Sequence, residues 1–119
     1  MPYRYIDLSY LGIIAGEDAE TRKQLLALLI EDLEEQLPAL GQLFRQQDWP
    51  ALFSVSHHLK STFAFAGNEG MTSANRLIER HLREAPDGPQ QDFIAAQVEA
   101  MESLLPQVLA ELRQEYQKT

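Results

Sequence analysis

Apolar residues recur along this chain at spacings of three and four, the period of α-helices with one buried face. Leu26, Leu29, Leu33, Leu37, Leu40 and Phe44 form a single stripe over five turns. Asp18 is placed to cap the helix that carries it, and Pro38, inside the stripe, predicts a kink. A shorter helix is predicted before it, from about Leu8 to Ala15, with Asp7 as N-cap and Gly16 just past its end. Asp48 followed by Trp49-Pro50 opens a third helix, with Leu52, Val55, Leu59, Phe63 and Ala66 inward and a stop near Gly67. A fourth runs from about Glu69 to Ala85, with Met71, Ala74, Ile78, Leu82 and Ala85 on one side. Pro86-Asp87-Gly88-Pro89 is a strong break. The last helix carries Ile94, Met101, Leu105, Val108 and Leu112 and an internal Pro106. The pattern predicts an all-α fold: an up-down-up-down four-helix bundle with a short additional N-terminal helix.

Composition narrows the class. The 119 residues suit one domain spanning 1–119, and no linker or repeat divides them. With no cysteine, disulfide frameworks and thiolate metal sites are excluded, and a reducing cytoplasm is the expected setting. No apolar run approaches the ~20 residues that span a bilayer, and the N-terminus lacks the apolar stretch of a secretory signal. Ten Lys and Arg against eighteen Asp and Glu give a net charge of −8. That field disfavours nucleic acid and anionic membrane, so a protein or small charged group is the expected partner.

Candidate chemistry rests on three histidines, because no serine, cysteine or lysine sits in a nucleophile motif. At about 100° per residue, His57 falls about 170° from the centre of its helix's core stripe, on the outer face. His58 falls at the shoulder of the core, and His81 close to its own stripe. Alone, an outward histidine is an ordinary solvated side chain. Here Lys60 and Ser61 follow one turn on, Ala64 lies beyond them, and Phe53 lies one turn before. A cation beside the ring and small residues above it leave room for an anion or a docked molecule, and Phe53 adds an apolar contact. Arg76, Arg80 and Arg83 form a basic stripe on the outward side of the next helix. Each taken singly reads as a solvated residue paired with Glu79 or Glu84. Together they suit phosphate or carboxylate recognition.

His57-His58-Leu59-Lys60, with Ser61-Thr62-Phe63-Ala64-Phe65-Ala66-Gly67 after it, resembles the signature of histidine-containing phosphotransfer (HPt) domains. That signature is His-x-Leu-Lys-Gly on an exposed helix face, with a second glycine ten residues after the histidine. Ile6-Asp7-Leu8 with Leu11, Gly16-Glu17-Asp18 and Asp48-Trp49 also resemble the family, so the likeness covers nearly the whole chain. The resemblance implies that His57 is the phosphoacceptor, that Lys60 helps neutralise the phosphoryl oxygens, and that Gly67 turns the chain into the fourth helix. It implies response-regulator receiver domains and a hybrid sensor histidine kinase as partners, a monomer, and no cofactor of the chain's own. Two positions depart from the family. Ser61 stands where glycine is usual, and Glu79 aligns with a glutamine that often bonds the histidine ring.

The chain contains no Gly-x-x-x-x-Gly-Lys-Ser/Thr loop, so a phosphoryl carrier without ATP binding or autokinase activity is expected rather than an enzyme. The start at Met1 suggests a free-standing module. A second reading is a docking module that binds receivers or kinases without phosphorylation, supported by Ser61. A metal-dependent enzyme built on His57, His58, Glu79 and His81 is disfavoured, because His57 and His58 point about 100° apart. His58 is the rival acceptor, but it stands only two residues before Lys60 and on a different face.

Overall fold

A computed structural model of the chain describes residues 3–119. Five helices follow one another: α1 (Ser9–Ala15), α2 (Ala19–Arg45), α3 (Trp49–Ala66), α4 (Glu69–Glu84) and α5 (Gln91–Lys118). There is no strand among the described residues. Helices α2 to α5 each pack on their sequence neighbours, and α5 closes the ring against α2, while α1 lies across α2 and α3. Short connections between antiparallel neighbours produce this arrangement. The four apolar stripes meet along its axis, where Leu33, Leu37, Leu59, Phe63, Ile78 and Met101 are fully buried. Phe44, Val55 and Leu105, expected inside, are only half-buried. In α3 Leu52, Leu59, Phe63 and Ala66 are buried as expected, but Ser56 rather than Val55 is enclosed among them.

Local chemistry sets the helix ends. The Asp18 carboxylate accepts from the backbone N–H groups of Glu20 (3.1 Å) and Thr21 (3.5 Å) at the start of α2. Asp48 does the same for Ala51 in α3, and Asn68 for Met71 in α4. Asp7 acts one residue outside its expected position. Leu8 occupies the N-cap of α1, and the Asp7 carboxylate accepts from the Ser9 N–H (3.0 Å) and hydroxyl (2.6 Å). The prolines do not end their helices: α2 runs through Pro38 and α5 through Pro106.

Residues 3–8 form a strap across the bundle. The Glu111 carboxylate accepts from three consecutive backbone N–H groups, those of Arg4 (3.1 Å), Tyr5 (2.7 Å) and Ile6 (3.2 Å). The Tyr3 hydroxyl donates to Glu115 (2.7 Å), which also pairs with Arg22. That bond, chiefly, and then burial push the Tyr3 hydroxyl up to about 12. The Tyr3 bond, followed by Arg22, holds the Glu115 carboxyl below its ordinary value against the opposing effect of burial. At its far end the strap touches the α3–α4 corner, where the Asp7 N–H donates to the Ala66 carbonyl (3.0 Å). Gly67 closes that corner with a left-handed backbone, φ +70°. A Cβ there would overlap the Asp7 carbonyl, so glycine is required both by dihedral angle and by approach.

Candidate phosphotransfer site

The outward face of α3 carries His57, whose side chain is 63% exposed. Beneath it lies Glu79 of α4, with a side chain only 6% exposed. Glu79 Oε2 stands 3.7 Å from His57 Nδ1 and has no hydrogen-bond partner. Its other oxygen, Oε1, accepts from Arg83 at 2.9 Å and faces Lys60 Nζ at 3.5 Å. Arg83 stands four residues beyond Glu79 on α4, whereas Lys60, three beyond His57 on α3, reaches Glu79 across the interface between the two helices. A buried carboxylate forfeits its hydration, and two adjacent cations offset that loss. Counted as formal charges, the three groups around a neutral imidazole sum to +1.

The ring is steered from a second side. Phe53, one turn earlier on α3, lies nearly parallel to His57 with centroids 6.4 Å apart, and the Arg83 guanidinium sits 5.7 Å over the same Phe53 ring. Phe53 is therefore half-buried against Arg83 and His57 rather than a free outward contact. With Nδ1 turned toward the carboxylate, Nε2 is left as the ring nitrogen away from the protein. At 3.7 Å the Nδ1 contact is longer than a formed hydrogen bond. It still gives the ring an electrostatic preference for carrying its proton on Nδ1 and its lone pair on Nε2.

Beyond His57 the face continues through the exposed Ser61 and Ala64, which with Tyr10, Lys60 and Phe65 line a shallow depression. The arginine stripe does not act as one unit. Arg83 joins the His57 cluster through Glu79, whereas Arg76 lines a separate cleft with Ser9, Tyr10, Ala64 and Ser73. Arg80 is exposed, and among the described residues no ion pair includes it.

His58, expected at the shoulder of the core, is 58% exposed and faces α2. Its Nε2 lies 3.1 Å from an Asp32 oxygen, and the other Asp32 oxygen accepts from the Thr62 hydroxyl. His81 is part-buried against Phe93, and its Nε2 accepts from the Gln90 N–H (2.9 Å) at the start of α5. Each of these rings is thus engaged in joining two elements, and neither lies in the Glu79 cluster. Among the described residues no group of three His, Cys, Asp or Glu side chains is arranged to hold a metal ion.

A model of the Hpt domain family matches residues 24–116. The chain belongs to the Hpt family. A comparison with curated proteins found no match. Hpt domains are phosphocarrier modules of two-component signalling rather than enzymes, and they interact with receiver domains and histidine kinases. The match takes in α3, α4, most of α2 and nearly all of α5, and leaves α1 and the strap outside. Among the described residues of this Hpt domain, no helix is long and apolar enough to cross a membrane.

The sequence reading missed how deeply Glu79 is buried, because acidic residues at helical spacing from arginines look like a solvated face. One signal was available: Glu79 follows Met71, Asn75 and Ile78 at helical spacing and so borders the core stripe.

Proposed function

We propose that this Hpt domain shuttles a phosphoryl group between receiver-domain aspartates through His57 Nε2. The observation that carries the reading is the exposed ring with Nδ1 directed at the buried Glu79 and Lys60 alongside. In the forward step the Nε2 lone pair attacks phosphorus, the bond from phosphorus to the aspartyl oxygen breaks, and the aspartate leaves as a carboxylate. The Nδ1 proton stays on the ring, opposite Glu79. Lys60, 59% exposed and flexible, turns from Glu79 to the phosphoryl oxygens. Transfer onward is the same step in reverse. Little beyond positioning and charge is asked of the carrier, and the metal and reactive aspartate belong to the receiver. In this reading residues 1–119 act as one monomeric cytoplasmic unit, fed by a hybrid sensor kinase.

The test is transfer from a labelled, phosphorylated receiver to the wild type, His57→Gln and His58→Gln. Label should reach the wild type and His58→Gln and be absent from His57→Gln. A second reading, docking without phosphorylation, draws on Ser61, which is exposed on the face where a receiver would sit. It would be preferred if receivers bind the wild type across a broad panel while none passes label to it.

A further inference from the structure

Behind His57, at the centre of the α3–α4 interface, lies a polar pair in otherwise apolar surroundings. Ser56 is 0% and Asn75 1% exposed. The Ser56 hydroxyl donates to Asn75 Oδ1 (2.7 Å), and the Asn75 amide donates to the Ser56 carbonyl (2.9 Å). Each residue stands next to the proposed chemistry along its own helix: Ser56 immediately precedes His57, and Asn75 is four residues, one turn, before Glu79.

We propose that Ser56 and Asn75 are positioning residues for phosphotransfer, fixing the register of α3 on α4 that brings Glu79 beneath the His57 ring. The proposal rests on His57 being the phosphoacceptor. Apolar packing between Leu59 and Phe63 on one side and Met71, Ala74 and Ile78 on the other drives the helices together, but it is not directional. It tolerates small slides at little cost. A reciprocal pair of hydrogen bonds does not, because a slide leaves buried donors and acceptors unmade with no water to replace them. The contact being set is sensitive on the same scale. One residue along a helix is about 1.5 Å of rise and about 100° of rotation, whereas Glu79 and His57 Nδ1 are only 3.7 Å apart. A slip of a single residue takes the carboxylate out from under the ring and away from Lys60. The pair thus acts at one remove, by holding the helix positions from which Glu79 and His57 meet.

The apolar replacement Ser56→Ala with Asn75→Leu tests this, because it removes both partners and leaves neither orphaned. Three quantities are compared with wild type: receiver affinity, single-turnover transfer rate, and the ¹⁵N shifts of the His57 ring nitrogens. The double variant should fold cooperatively and bind the receiver within two-fold. Its transfer rate should drop by about ten-fold or more, as expected for sub-ångström to ångström misplacement of a reacting group. Its ring shifts should move toward those of a freely tautomerising imidazole. A folded variant with wild-type ring shifts and transfer rate overturns the proposal, as does a rate loss matched by an equal loss of receiver affinity. If the double variant does not fold, Ser56→Ala alone, which removes only the hydroxyl bond, is held to the same three outcomes. The ring shifts need no phosphoryl donor, so they report on positioning even if His57→Gln shows that the acceptor lies elsewhere.

Discussion

Replacing Gly67 by alanine should be among the most damaging single-methyl additions in the molecule. Two independent costs add. The residue sits at φ +70°, where an L side chain costs roughly 1–2 kcal/mol. The new Cβ would also overlap the Asp7 carbonyl, so the strap must lift. Lifting it sacrifices the bond from the Asp7 N–H to the Ala66 carbonyl, worth roughly 0.5–1.5 kcal/mol net. The sum is about 1.5–3.5 kcal/mol, a large share of the roughly 5–15 kcal/mol available to a domain. At about 4 °C per kcal/mol for a chain of this length, the melting temperature should fall by about 6–14 °C. Urea and thermal unfolding followed by circular dichroism would measure it. Gly88→Ala is the internal control, because nothing lies within 4 Å of a Cβ built there and its φ is not in the left-handed range. It should change stability by no more than about 0.5 kcal/mol. Equal effects of the two substitutions would refute the reasoning. So would a Gly67→Ala variant in which exchange of the Asp7 amide is as slow as in wild type.

Three further outcomes follow from the same structure. Glu79→Gln should keep His57 transfer-competent, because an amide oxygen facing Nδ1 preserves the same tautomer preference, and should shift the phosphoryl partition with a receiver toward His57 by roughly three- to ten-fold. That is about 1 kcal/mol from removing one negative charge near the incoming anion, and an unchanged partition at equilibrium would count against it. His58→Gln should transfer like wild type and lose at most about 1 kcal/mol of stability, since the Asp32 contact is largely exposed, as read by a urea midpoint. Stability should also respond to pH through the strap and the α2 cap. Glu115, Asp7 and Asp18 are held below their ordinary values of 4.5, 3.8 and 3.8, so their contribution is present above those values and is lost as pH falls through the depressed ones. Tyr3 is raised from 10.0 to about 12, so its contribution is present below pH 10 and lost between pH 10 and about 12. Glu115→Gln should flatten the alkaline limb, and an unaltered limb in a pH series of melting curves would contradict this account.

The helices, their caps and the outward placement of His57 were legible because they depend on neighbours within one turn. Leu26 to Leu40 repeat at helical spacing whatever packs against them, and Asp18 and Asp48 act on amides two or three residues away. What escaped the sequence reading depends on partners far along the chain. Ser56 looks like a surface residue until Asn75, nineteen positions on, is set against it. Glu111 and Glu115 carry no motif of their own, yet they hold the strap from more than a hundred residues away. Glu79 is the mixed case. Its alignment with a ring-bonding glutamine was visible in the motif, whereas its burial and its contact with Lys60 emerge only when α3 and α4 pack.

The strap also fixes an order of events. Its bonds to Glu111 and Glu115 join residues separated by 105 to 112 positions, so no early, local structure can form them. Closing a loop of that length costs entropy before any contact returns it. During synthesis, residues 3–7 leave the ribosome long before α5 exists, and their backbone amides wait in water for a carboxylate not yet made. The bonds to Glu111 and Glu115 therefore wait for α5, whereas the Asp7 contact with the α3–α4 corner requires only α3. Docking of the strap on α5 is thus expected among the late steps of folding, which amide protection followed during refolding would read for Tyr5 and Ile6.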